Sequence, residues 1–117
     1  MTVQELYTEL GGNYDDIMRR LRSERIARKF LLRFLEDKTF ETLQQAVENG
    51  QQEEAFRAAH TLKGLSLNMG FPQLLDSSQK LTESVRTELT PEAASLLQTV
   101  AADYARTVEA IQALDAE

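Results

Sequence analysis

Apolar residues in this chain recur at spacings of three and four almost from end to end, which is the period of one face of an α-helix and not the alternation of a strand. Only two prolines and five glycines interrupt that rhythm, so the expected fold class is all-α. A chain of 117 residues is one domain's worth. It is long enough to bury well over half of the surface its unfolded form exposes, and it needs no covalent staple to fold. None is on offer: there is no cysteine, which removes disulfides, thiolate zinc sites and thiol nucleophiles together.

The breaks place the helices. Thr2 is a natural N-cap with Glu5 reaching back, and Gly11-Gly12 stops that first short helix. A second begins after Asn13. Ser23 caps a longer one whose stripe is Ile26, Phe30, Leu31, Phe34 and Leu35, ending near Asp37; Thr39 caps the next, closed by Gly50. An Ala-rich helix runs from Gln51 to Met69 and ends on Gly70, and Pro72 is placed as the first residue of its successor, with Leu74, Leu81 and Val85 as the stripe. Thr90-Pro91-Glu92 starts the last helix, read with Leu96, Val100, Tyr104, Val108, Ile111 and Leu114 inward. Short connections favour antiparallel neighbours, so the expected architecture is an up-and-down four-helix bundle, about residues 23–112, with short N-terminal capping helices over about 2–22.

Nineteen acidic against thirteen basic residues give a net charge of -6, the wrong sign for a nucleic-acid binder. The basic run from Arg19 to Lys29 is broken by Glu24, Ile26 and Ala27 and reads as the wet side of a helix. No apolar run has the length of a membrane span, and the first residues lack a signal peptide's basic start and apolar stretch. The expectation is a soluble cytoplasmic protein with neither nucleic acid nor membrane as partner.

Chemistry converges on the one histidine. On the wheel of the helix from Gln51 to Met69, Ala55, Ala59, Leu62, Ser66 and Met69 share the core side, flanked by Ala58 and Leu65. His60 lies roughly 160° from Leu62, in a column with Glu53, Arg57, Gly64 and Leu67, and so faces solvent. Gly64 in mid-helix costs about 1 kcal/mol relative to Ala and calls for a reason. Leu67 and Phe56 put apolar surface beside the imidazole, away from the core, where another protein could land. One His without Cys is too few ligands for a zinc centre, no strand-turn-helix elbow exists for a nucleophilic serine, and Gly11-Gly12 is followed by no phosphate-loop Lys-Ser or Lys-Thr. The imidazole itself remains as nucleophile. A free imidazole titrates near pH 6.5, so its neutral form can attack electrophilic phosphorus at cellular pH without a separate base. Lys63 brings positive charge for phosphoryl oxygens, and Gly64 leaves room for an incoming protein.

Ala59-His60-Thr61-Leu62-Lys63-Gly64, with Asn68-Met69-Gly70 after it, closely resembles the signature of histidine-containing phosphotransfer (HPt) domains, the His carriers of two-component phosphorelays. The resemblance extends over roughly residues 23–112 as helix pattern. It implies that His60 exchanges a phosphoryl group with the aspartate of a response-regulator receiver domain, that Lys63 steadies phosphoryl charge, and that Gly64 lets the receiver approach. Arg57, Gln79 and Thr82 are then supporting residues, and Phe56 and Leu67 docking residues. Implied partners are a receiver domain, a hybrid histidine kinase, or both, with the chain a monomer. The receiver brings the acidic pocket and its Mg²⁺, so no cofactor or metal is expected on this chain.

Two departures stand out. Leu65 and Leu67 are bulky where the family commonly has small residues, and Thr82 stands where a Glu or Gln often meets the histidine ring, with Gln79 one turn earlier as a candidate substitute. The alternative function is a non-phosphorylated helical adaptor that binds a receiver or kinase through the same face. A kinase fragment is disfavoured because the chain starts at Met1 and shows no ATP-binding or dimerisation segment.

Overall fold

In the computed structural model, which describes residues 1–115, several helix ends fall where local chemistry satisfies free backbone groups. α1 (Val3–Glu9) opens with a capping box: the Glu5 amide donates to Thr2 Oγ1 at 3.1 Å and the Thr2 amide to Glu5 Oε1 at 2.9 Å. α2 (Tyr14–Leu21) is capped by Asn13, and α3 (Glu24–Phe34) by Ser23, whose hydroxyl accepts from Arg25 and Ile26. α4 (Thr39–Glu48) corrects the sequence expectation. Thr39 is its first residue and not its cap; the Asp37 carboxylate accepts from the Thr39 amide at 2.9 Å instead. α5 (Gln52–Met69) ends on Gly70 at φ 74°, where the Phe71 amide turns back to the Ser66 carbonyl. α6 (Pro72–Ser84) has Pro72 as its first residue, where a missing N–H costs nothing. α7 (Glu92–Gln112) follows Pro91.

The described residues are thus all helical and contain no strand. α4 packs on α5, α5 on α6, α6 on α7, and α7 returns to α4. Their shared core includes Leu43, Ala55, Ala59, Leu62, Leu81, Val100 and Ile111, all buried. The small Ala55, Ala58 and Ala59 let α5 sit close to its neighbours, as the stripe of small and medium residues implied.

α1, α2 and α3 pack on one another, with α1 also reaching α7. A run of aromatic contacts ties them to the other four: Tyr7 stacks on Phe71, Phe34 meets Phe71 edge-on at 5.3 Å, Phe34 leans on Tyr104, and Tyr104 stacks on Phe40 at 4.4 Å. Such pairs each contribute about 0.5–1.5 kcal/mol beyond the area they bury. The Tyr7 hydroxyl also donates to the Met69 carbonyl at 2.7 Å. That bond satisfies an acceptor at the end of α5, and burial pushes the Tyr7 phenol well above its ordinary range.

Two stripes are displaced from the sequence expectation. On α3 the buried residues are Ala27, Leu31 and Phe34, while Ile26 is 43% exposed and Phe30 38%. The helix packs mainly on the short α1 and α2, and these cover one narrow face. α3 also stops at Phe34, short of Asp37. On α7 the fully inward column is Ala93, Leu97, Val100, Ala110 and Ile111, with Leu96, Tyr104, Val108 and Leu114 only partly buried beside it.

Candidate functional site

α5 has one face packed in the core and one turned to solvent. Ala55, Ala59, Leu62 and Ser66 are fully buried, and the Ser66 hydroxyl is satisfied by the Leu62 carbonyl one turn back at 2.8 Å. Turning by one residue from Ala59 brings His60 out to solvent. One turn on, Lys63 and Gly64 are partly exposed, and a Cβ built on Gly64 meets nothing within 4 Å. No packing inside the protein therefore demands glycine at this position. Leu67, another turn along, is 56% exposed. Its surroundings include a groove lined by Gly11, Gly12, Asn13, Asp16 and Arg20, so the start of α2 borders the same end of the face.

Phe56, one turn before His60, is partly buried, and its ring lies 6.0 Å from the imidazole with planes 20° apart. Above Phe56 stands the guanidinium of Arg86, 5.3 Å from the ring centroid. Arg86 in turn donates to both carboxylate oxygens of Glu83, at 2.7 and 3.3 Å. The Arg86 contact holds the Glu83 carboxyl below its ordinary range, with Lys63 of α5 adding a smaller pull. Nothing in the sequence marks Glu83 and Arg86 as belonging here: the pair reads as an ordinary i, i+3 contact at the end of a helix, and only the packing of α6 on α5 brings it over Phe56.

The supporting residues separate in space. Thr82 is fully buried, and its hydroxyl donates to the Ser78 carbonyl at 2.6 Å within α6. Gln79 is exposed and lines a groove between α6 and the start of α7 with Glu83, Glu88 and Leu96. Arg57 pairs with Glu54 at 2.8 Å and lines the groove between α5 and the start of α4. Among the described residues no hydrogen bond or ion pair reaches the imidazole of His60, and its neighbour is the Phe56 ring.

What the arrangement can do is narrow: a nucleophilic nitrogen stands in water on a rigid helix, a cation lies one turn away, and the helix surface beside it is bare backbone. Among the described residues no group of three or more His, Asp or Glu is placed to hold a metal ion, and no helix is long and apolar enough to cross a membrane. No curated protein and no solved structure matches the chain at a significant level. A family model does: the Hpt domain matches residues 30–117, well over half of the chain and with all of α4 to α7 inside it. The chain therefore belongs to the Hpt domain family, helical phosphocarriers, not enzymes, that work between the histidine kinases and response regulators of two-component phosphorelays.

Proposed function

We propose that this chain carries a phosphoryl group on His60, taking it from the aspartyl phosphate of a receiver domain and returning it to one. The observation that carries the reading is the exposed His60 with Lys63 and an open Gly64 one turn on. In the transfer the lone pair of a neutral imidazole nitrogen attacks phosphorus, the bond from phosphorus to the aspartate oxygen breaks, and the aspartate leaves as its carboxylate. The other ring nitrogen keeps its proton, so the phosphoimidazole forms as a cation and then exchanges that proton with water. Lys63 offsets charge on the phosphoryl oxygens. Bare backbone at Gly64, flanked by Phe56 and Leu67, admits the receiver's surface.

The receiver, alone or as part of a hybrid histidine kinase, is the partner and supplies the divalent cation; this chain contributes neither metal nor nucleotide. The same reading takes residues 1–117 as one monomeric domain in the cytoplasm, an up-and-down four-helix bundle with short helices capping its N-terminal end.

Incubation with phosphorylated receiver domains should give acid-labile, alkali-stable phosphate on the protein. His60→Gln should abolish it while moving stability by less than about 0.5 kcal/mol, as exposed substitutions usually do. Wild-type protein that binds a receiver yet takes up no phosphate would support the adaptor instead.

A further inference from the structure

Phosphoryl transfer to an imidazole is directional, because the attacking lone pair lies in the plane of the ring and phosphorus must approach within that plane. A freely rotating ring spends little of its time correctly turned, and small errors in approach are costly in rate. In this protein neither side chain named as a candidate partner bonds the ring: Thr82 is buried with its hydroxyl on the Ser78 carbonyl, and the exposed Gln79 borders the α6–α7 groove. The contact that His60 does have is the nearly parallel ring of Phe56 at 6.0 Å. Phe56 is held by more than α5, since Arg86 lies over its ring and Glu83 fixes Arg86 with two hydrogen bonds.

We propose that Phe56 is a positioning residue for phosphotransfer: its ring, clamped by the Arg86–Glu83 pair from the end of α6, sets the plane of the His60 imidazole. This inference rests on His60 being the phosphosite. It assigns Phe56 a role other than apolar contact with the partner. Stacking fixes the plane of the ring without consuming either nitrogen, so one nitrogen stays free for phosphorus and the other for the proton. A hydrogen bond would occupy one of them. The clamp is built from exposed charges, and each of its contacts is individually weak. Its effect is on orientation and not on stability.

The two roles of Phe56 separate in single-turnover transfer from a phosphorylated receiver, measured across receiver concentration. Phe56→Leu, which keeps an apolar side chain of similar reach, should lower the saturating rate by about tenfold with half-saturation within about twofold of wild type. Phe56→Tyr should restore it, and Arg86→Gln, at an exposed position, should lower it in the same direction by about threefold. The ring-current displacement of the His60 carbon-bound protons in the NMR spectrum should be present in wild type and lost in Phe56→Leu. A Phe56→Leu protein that reaches the wild-type saturating rate, or loses only half-saturation, would overturn the proposal, as would unchanged His60 shifts. Wild-type protein that gains no phosphate on His60 would instead remove the phosphotransfer reading, and the positioning role with it.

Discussion

A Cβ on Gly64 would stand in open space, so the internal energetics favour replacing it. Gly64→Ala should raise stability by up to about 1 kcal/mol, the intrinsic helix preference. A long side chain there would cover the surface beside His60. Gly64→Gln is therefore expected to melt no lower than wild type and to transfer phosphate far more slowly. Paired melts and transfer kinetics check this, and a folded Gly64→Gln protein with the wild-type rate would move the receiver interface elsewhere. This tension was legible in the sequence, because a mid-helix glycine beside an outward histidine needs only the helix wheel to be noticed. Glu83 and Arg86 were not, since their relation to Phe56 depends on how α6 lies on α5, and no periodicity within one helix encodes that.

At the scale of elements, the start of α4 shows how two available caps are resolved. Thr39 and Asp37 are both good capping residues, and sequence alone favours the one nearest the apolar stripe. The chain instead enters with Lys38 at the boundary and the Asp37 carboxylate on the Thr39 amide. Asp37→Ala should cost about 1 kcal/mol, while Thr39→Ala should change stability by less than about 0.5 kcal/mol; chemical denaturation of the two variants distinguishes them, and the reverse order would contradict the assignment. The α3 stripe, of which Leu31 and Phe34 are buried as expected, is displaced for a different reason. Its sequence carries apolar residues around more of the helix than α1 and α2 can cover, so Ile26, Phe30 and Leu32 stay exposed. Burial depends on the partner helices as well as on the helix itself. On α5, with α4 on one side and α6 on the other, the inward stripe follows the wheel closely.

Across the whole molecule the two ends of the described chain meet. The Met1 amine bonds the Ala113 carbonyl at 2.6 Å and the Asp115 carboxylate at 2.8 Å, and the Asp115 amide returns to the Met1 carbonyl. This clasp holds α1 beside the end of α7, and α1 in turn carries the Tyr7 that steadies the end of α5. The amine holds the Asp115 carboxyl below its ordinary range. A carboxyl depressed in the folded state adds stability that is complete above its unfolded pKa and lost as pH falls through its folded one. The contribution should be full above about pH 5 and fade below about pH 4. Asp115→Asn should flatten the acid side of the melting-temperature profile and leave the shape between about pH 5 and 7 unchanged; an unaltered acid slope would mean the clasp is not maintained in solution. The proposed role of His60 is decided by what becomes attached to its imidazole. The direct measurement is site-localised mass spectrometry, under neutral to alkaline conditions, of protein exposed to a phosphorylated receiver. One phosphoryl group per chain is expected, on His60; phosphate on another residue, or none on a chain that binds the receiver, would contradict the phosphocarrier role.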